Sequence, residues 1–165
     1  MKSKKAPKNL AEALGVDPEQ MAALLLLGHA YLENGRNREA RDIFEGIQML
    51  DPENPYAPAV LGSICQREKK YEEAIAYYDR ALSLYSNDAY TLTNRGECHL
   101  NLSKFKEAAL DFEASIALDP EQKHPAANRA RFLAGLTLEG LHLASTKGTG
   151  AIRDAKRRID EQLAL

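Results

Sequence analysis

Histidine and cysteine are the residues of this chain best suited to metal binding or nucleophilic catalysis, and their spacing supports neither chemistry. The chain contains four histidines and two cysteines among 165 residues, and no two of them lie four residues apart. A separation of four residues is the one that brings two metal ligands to the same face of a helix. Two cysteines also provide neither a disulfide framework nor a zinc quartet. We therefore expect no metal, no cofactor and no enzymatic activity.

One further segment carries the residue types of a phosphate-binding loop. Lys147-Gly148-Thr149-Gly150 has the glycines, lysine and threonine of such a loop, but in a different order. No strand is predicted before it, whereas a phosphate-binding loop connects a strand to a helix. We expect no nucleotide or other small-molecule substrate.

The distribution of charge excludes other partners. The net charge is −2, yet residues 1–8 contain four lysines and no acid, and residues 147–165 are also basic, so the middle of the chain is acidic. An acidic core repels phosphates, which argues against nucleic acid. The longest apolar run, Met21–Leu27, is too short to span a bilayer, and no apolar segment directly follows the basic tail. We expect a cytoplasmic protein without membrane insertion.

The strongest pattern is a period of 34 residues. Gly28, Gly62 and Gly96 are separated by this interval. The same interval relates Ala40, Ala74 and Ala108, then Phe44, Tyr78 and Phe112, then Leu50, Leu84 and Leu118. A repeat of this length is typical of stacked helical hairpins that bury a continuous core.

Each repeat has the periodicity and boundaries of two antiparallel helices. Asp17-Pro18-Glu19-Gln20 resembles a capping box at a helix start, and breaks fall at Asn34-Gly35, Lys69-Lys70 and Leu102-Ser103. The glycine and alanine columns allow the two helices to approach closely. We expect the aromatic residue of the second helix to fill the gap to the next repeat.

These columns resemble the tetratricopeptide repeat, whose pattern combines Leu-Gly, Tyr, Ala, Phe, Ala and Pro. The matching residues are Leu27-Gly28, Tyr31, Ala40, Phe44 and Pro52, then Leu61-Gly62, Ala74, Tyr78 and Ala81, then Gly96, Ala108, Phe112 and Pro120. The resemblance implies an all-α fold, a right-handed superhelix of three helix-turn-helix repeats with a C-terminal capping helix. The predicted segments are a basic tail and short helix (1–20), three repeats (21–54, 55–88, 89–122), the capping helix (123–145), and a hinge with a basic helix (146–165).

In this architecture the first helix of each repeat lines a concave groove. The residues that the repeat phase assigns to a peptide-binding groove are Leu25, Leu26, His29, Tyr56, Ala59, Val60, Ser63, Tyr90, Asn94, Glu97 and Arg131. Paired tyrosines over small residues suit an extended peptide with apolar anchors. An alternative for Leu25 and Leu26 is that they cover the predicted N-terminal helix Asn9–Leu14.

The chain also resembles the small chaperones of bacterial type III secretion translocators, in its length and in the stretch Phe44–Asp51 and Glu97-Cys98. That resemblance implies an extended translocator segment in the groove and, through an N-terminal helix, a homodimer. A different group of tetratricopeptide proteins binds the acidic tails of heat-shock chaperones with a cationic clamp. The matching positions here are Leu25, His29, Val60, Tyr90 and Asn94, none of which is cationic.

Two functions follow from these observations. The first is a cytosolic chaperone or adaptor that binds a client protein or peptide in its groove. The alternative is a structural scaffold that uses the convex face or the C-terminal helices, where Leu136, Leu138, Leu141 and Leu143 cover more than one helix face.

Overall fold

The computed structural model describes residues 6–147 together with Arg157 and Glu161. The described residues form eight α-helices and no β-strand, so the predicted all-α superhelix is confirmed. The helices are α1 (Leu10–Leu14), α2 (Pro18–Glu33), α3 (Asn37–Leu50), α4 (Tyr56–Arg67), α5 (Tyr71–Leu84), α6 (Ala89–Asn101), α7 (Phe105–Ala117) and α8 (Pro125–Lys147). No helix among the described residues is both long and apolar enough to cross a membrane.

The helix starts at the N-terminus are set by local hydrogen bonds that the sequence encodes. The Asn9 side chain accepts a hydrogen bond from the Glu12 amide, and Gly15 ends α1 with φ 72°. Asp17 and Gln20 form a reciprocal capping box at the start of α2. Because Pro18 occupies the first turn of α2, that helix begins three residues before the first predicted repeat.

The turn inside each repeat uses a left-handed residue at one repeated position. Gly35, Lys69 and Ser103 lie 34 residues apart and have φ of 71°, 61° and 58°. In the first turn the Arg36 amide donates to the Tyr31 carbonyl at 2.8 Å, which closes a Schellman-type end to α2. The sharp reversal therefore has the same geometry in all three repeats, although only the first has glycine there.

The glycine column allows an aromatic ring to lie on the neighbouring helix. A Cβ added at Gly62 would lie 2.6 Å from the Tyr78 ring, and one at Gly96 would lie 2.6 Å from the Phe112 ring. These rings belong to the same repeat as the glycine. The expectation that the aromatic residue fills the gap to the next repeat was therefore incomplete, because the ring first covers the glycine of its own hairpin.

The C-terminal end of the superhelix is covered by α8, which packs against α6 and α7. Leu133 and Leu136 of α8 are buried in one cluster with Phe105 and Phe112 of α7. The helix runs through Lys147, so the first residues of the predicted hinge are helical. Apart from Arg157 and Glu161, which are helical, the predicted basic C-terminal helix lies outside the described residues.

The N-terminal end is more open. The short helix α1 lies against α3, where the Asn9 side-chain amide donates to the Asp51 carboxylate at 3.0 Å. Gly28 is the one fully buried residue of α2. Leu26 and Leu27 of the same helix are 72% and 42% exposed. One side of α2 thus packs on the repeats, and the other faces solvent.

Candidate functional site

A concave cavity of about 630 Å³ opens between the first helices of the repeats. Its walls come from α2, α4 and α6, with the linker between α5 and α6 at one edge. Seven of the residues predicted for the groove line it: His29, Tyr56, Ala59, Val60, Ser63, Tyr90 and Asn94. The 34-residue phase therefore places these residues in one site, because stacked hairpins bring equivalent positions of successive first helices side by side.

Aromatic rings follow one edge of this groove. Tyr56 and Tyr90 are 44% and 53% exposed. The Tyr56 hydroxyl and the His29 Nε2 atom form a hydrogen bond, and the two ring centroids lie 5.5 Å apart. The rings of Tyr90 and His124 also contact each other, edge to face, with centroids 4.8 Å apart. Tyr56, Tyr90 and His124 occupy the same position of successive repeats.

Each tyrosine therefore rests on an imidazole through part of its surface and presents the remainder to solvent. Burial raises the pKa of the Tyr56 hydroxyl, so it stays protonated at neutral pH. A neutral phenol combines apolar area with a hydrogen-bonding group and has few rotatable bonds to immobilise. Such rings can anchor an apolar side chain of a bound segment.

The floor between the rings is narrow and weakly polar. Ala59 and Ser63 lie one turn apart on α4, with Val60 next to Ala59, and their small side chains leave room for a main chain to pass. Two acids, Glu33 and Asp88, also line the cavity, whose lining contains one lysine or arginine, Arg67. The balance of charge disfavours an acidic ligand in this part of the groove.

A smaller polar recess of about 320 Å³ continues the groove towards α8. Its central residue is Glu97, which is 7% exposed. The Gln66 amide donates to the Glu97 carboxylate at 3.0 Å, and the Arg129 guanidinium forms an ion pair with it. Tyr78 in turn donates to the Gln66 side chain at 2.7 Å. These contacts connect α4, α5, α6 and α8.

The Glu97 carboxylate is stabilised only in part by these partners. Burial raises its pKa, while the Arg129 ion pair and the Gln66 hydrogen bond act in the opposite direction and do not cancel the effect. The recess thus contains a carboxylate with an elevated pKa beside two exposed arginines, Arg67 and Arg129. It is a polar continuation of an apolar groove.

Three predicted groove residues lie elsewhere. Leu25 packs in the hydrophobic core formed around Phe44. Leu26 is outside the lining of both recesses, and its 72% exposure shows that α1 leaves most of its side chain uncovered. Arg131 binds the Asp119 carboxylate at 3.1 Å. The prediction continued the repeat phase into α8, but Arg129 enters the groove instead, and two residues along a helix differ in direction by about 200°.

Sequence reasoning missed the edge of the cavity that the repeat linker supplies. Tyr85 and Asp88 line it between α5 and α6. Tyr85 lies in phase with Asp51 and Asp119, so an aromatic residue replaces the aspartate of the other two repeats. This difference between the repeats is the feature of the sequence from which a role of Tyr85 in the groove could have been predicted. The remaining lining residues outside the predicted set are Leu32, Glu33, Pro55, Arg67, Ala81 and Thr91.

The cysteines do not contribute reactive groups to the groove. Cys65 and Cys98 are free thiols, and both are buried. Burial raises the pKa of the Cys98 thiol to about 12. Among residues 6–147, Arg157 and Glu161, no group of three or more histidine, cysteine, aspartate or glutamate side chains is placed to hold a metal ion.

Comparison with known proteins gives a consistent family assignment. Two family models, both described as tetratricopeptide repeat, match this chain, one over residues 61–134 and the other over residues 2–58 and 25–90. Superkiller complex protein 3 of Homo sapiens is 32% identical over 118 residues, which is 72% of this chain. The chain spans 7% of the length of that relative.

Solved structures with the same fold include bacterial chaperones. The type III secretion translocator chaperone SycD of Yersinia enterocolitica superposes with a TM-score of 0.71 and 17% identity, covering 77% of this chain and 96% of SycD. PcrH of Pseudomonas aeruginosa, in complex with the chaperone binding region of PopD, superposes with a TM-score of 0.70 and 25% identity. That match covers 76% of this chain and 96% of PcrH.

Proposed function

The chain belongs to the tetratricopeptide repeat family, and from this premise we propose that it binds an extended apolar segment of a client protein in its concave groove. The tetratricopeptide models match residues 2–90 and 61–134, which together cover most of the chain. The fold is one in which solved neighbours hold a segment of another protein.

The observation that carries the proposal is the arrangement of exposed tyrosines over small residues. Tyr56 and Tyr90 project from successive first helices, with Ala59 and Ser63 between them on the floor. Exposed aromatic rings beside a cavity of about 630 Å³ favour apolar side chains spaced along an extended chain. The mechanism is passive, since occupancy of the groove alone shields the client segment from aggregation.

The more specific proposal is a cytoplasmic chaperone of the type that serves type III secretion translocators. The likeness to PcrH, which was crystallised with the chaperone binding region of PopD, supports it. The lining acids Glu33 and Asp88 also favour a neutral or basic segment over an acidic tail. We infer a client segment with apolar anchors and few carboxylates.

The test is a selection of random peptides displayed on phage against the full chain, followed by affinity measurements on the selected sequences. We expect peptides with two apolar anchors, and binding at least roughly 30-fold weaker to the Tyr56→Ala/Tyr90→Ala variant, because two aromatic anchors are lost. Fluorescence anisotropy with labelled peptides measures the difference.

Leu110→Ala is the control, since Leu110 is an exposed apolar residue on α7 outside the groove. It should bind the selected peptides as tightly as the wild type. If the double tyrosine variant binds with unchanged affinity while keeping its thermal stability, the groove is not the client site.

A scaffold function is the second candidate, and exposed apolar residues at the C-terminal end favour it. Leu110, Phe132 and Leu138 are all more than half exposed on α7 and α8. Superkiller complex protein 3 is by its name part of a complex. A scaffold would retain a folded partner in the Tyr56→Ala/Tyr90→Ala variant and release it in Phe132→Glu/Leu138→Glu.

A further inference from the structure

The groove lining contains one acid and one cation that have no charged partner among the described residues. Glu33 is the last residue of α2 and Arg67 the last of α4, and both are exposed. Neither side chain forms an ion pair or a hydrogen bond within the part of the chain that the structure describes. The second lining acid, Asp88, instead accepts hydrogen bonds from the Tyr90 amide and the Thr91 hydroxyl. Glu33 and Arg67 are therefore the lining charges that remain for a ligand.

These two charges occupy the same position of adjacent repeats, 34 residues apart. Helices α2 and α4 lie side by side, since the His29 ring of α2 contacts the Tyr56 ring of α4. The axes of packed helices are about 8–10 Å apart, whereas neighbouring side chains on one edge of an extended chain are about 7 Å apart. Side chains as long as those of lysine and glutamate cover the difference. One edge of a bound segment can therefore reach Glu33 and Arg67 with side chains two positions apart.

The tyrosines lie on the opposite side of the groove from these charges. Tyr56 is the first residue of α4 and Arg67 the last, which separates their backbones by roughly 16 Å along the helix. Ala59 and Ser63 lie between them on the floor. Successive side chains of an extended chain point in opposite directions. A segment on this floor thus directs alternate side chains towards the tyrosines and towards the charges.

From this arrangement we propose that the client segment carries a basic and an acidic residue two positions apart, which bind Glu33 and Arg67, while the residues alternating with them contact the tyrosines. The inference rests on the proposed groove function and adds the charge pattern that the groove selects. Each protein charge attracts the matching residue and repels a residue of its own sign. The segment is therefore neutral at this pair of positions, in keeping with a groove that disfavours an acidic ligand.

A set of matched peptides tests this pattern. All share one sequence selected for binding that depends on Tyr56 and Tyr90, and they differ only at the two positions that flank an apolar anchor. These positions carry Lys and Glu in either order, Lys twice, or Glu twice. Fluorescence anisotropy is measured at low ionic strength, where exposed charges are least screened. The wild type should bind the tighter of the two mixed peptides at least about threefold more strongly than either like-charged peptide.

Charge-reversal variants assign each preference to its residue. Glu33→Lys should prefer the peptide with two Glu, and Arg67→Glu the peptide with two Lys, because the lining then presents two like charges. Glu45→Lys and Arg38→Glu change the net charge by the same amounts at exposed residues of α3 outside the groove lining. These controls should keep the preference of the wild type. Circular dichroism confirms that each variant is folded.

Three results would overturn the inference. The first is tyrosine-dependent binding with equal affinity for all charge patterns, which would leave the groove function intact. The second is a preference for the mixed peptide that persists in both Glu33→Lys and Arg67→Glu, which would locate charge recognition elsewhere. The third is a selection without any peptide whose binding depends on Tyr56 and Tyr90, which would overturn the groove function and this inference with it.

Discussion

At the C-terminal end of the superhelix, α8 buries Leu133 and Leu136 against α7, whereas at the N-terminal end α2 leaves Leu26 and Leu27 exposed. Both ends start from the same repeat unit, in which a glycine column accommodates an aromatic ring. The difference is the extra helix. A repeat buries its apolar surface only against a neighbour, so a terminal repeat needs either a capping helix or a partner.

The comparison gives the two ends different physical roles. At the C-terminal end, Leu133 and Leu136 are packed within the chain and the Asp119–Arg131 ion pair adds a polar link, while Phe132 and Leu138 on α8 stay exposed. The N-terminal end has a polar link, Asn9 to Asp51, and exposed leucines on α2. Truncation should therefore affect folding more at the C-terminal end than at the N-terminal end.

The largest difference in stability is expected between substitutions of two leucines, one at each end of the superhelix. Leu133→Ala removes a fully buried side chain and should lower the free energy of unfolding by about 2–5 kcal/mol. Leu26→Ala removes an exposed side chain and should change that free energy by less than about 0.5 kcal/mol in dilute protein. Urea denaturation followed by circular dichroism measures both. Equal losses in the two variants would abolish the distinction between a packed and an open end.

A smaller effect is expected for two aspartates in the same repeat phase. Asp119 accepts hydrogen bonds from the Lys123 and His124 amides and binds Arg131. Asp51 binds the Asn9 side chain. Asp119→Ala should therefore lower the melting temperature by more than Asp51→Ala, because it removes the acceptor of two backbone amides and one of the acceptors of the Arg131 guanidinium.

The pH dependence sharpens this test. Burial raises the pKa of Asp119, but the hydrogen bonds from Lys123, His124 and Arg131 outweigh it and bring the pKa below its ordinary value of 3.8. The ionised form is thus favoured by folding, and its contribution is present above pH 3.8 and lost as the pH falls through the lowered pKa. The difference in stability between wild type and Asp119→Ala should shrink over that range. A difference that stays constant down to the acid limit would contradict this account.

The smallest change in stability is expected for substitutions in the turns of the first and third repeats. Gly35 and Ser103 both have left-handed backbone, with φ of 71° and 58°. Ser103→Gly should stabilise the chain by about 0.5–1 kcal/mol, and Gly35→Ala should destabilise it by a similar amount, because a Cβ disfavours this conformation. Thermal melts of both variants provide the measurement. This account requires that the two substitutions change the melting temperature in opposite directions. A lower melting temperature for Ser103→Gly would show that the serine side chain outweighs the backbone preference.

Much of the fold and of the groove could be predicted from local pattern. The spacing of Gly28, Gly62 and Gly96 predicted the stacked hairpins, and the same phase predicted that Tyr56 and Tyr90 would line one surface. The capping box at the start of α2 could also be predicted from the sequence, since it depends on two residues, Asp17 and Gln20, that lie three positions apart. Periodic features of this kind are repeated in each unit, so errors at one position are corrected by the others.

The prediction of groove residues was less accurate at the two ends of the repeat region. Arg131 was assigned to the groove by extending the repeat into α8, but its side chain donates to the Asp119 carboxylate, and Arg129 is the arginine that donates to Glu97. Leu26 was assigned by the same phase, yet its side chain is 72% exposed, and the preceding helix α1 lies against α3. Non-repeating elements dock through contacts between distant residues, which a period does not encode.

The helices, their turns and the register of the three repeats follow from the amino-acid sequence, because they depend on interactions over a few residues and on a period that recurs along the chain. Which surfaces remain available depends on how the helices pack. Tertiary packing placed Tyr85 at the edge of the groove, buried Glu97 beside Arg129, and left Leu26 and Leu27 of α2 exposed while it buried Leu133 and Leu136 of α8 at the opposite end. The physical reason is that exposure is a property of the packed assembly of helices, and a residue acquires it only after all its neighbours have been placed.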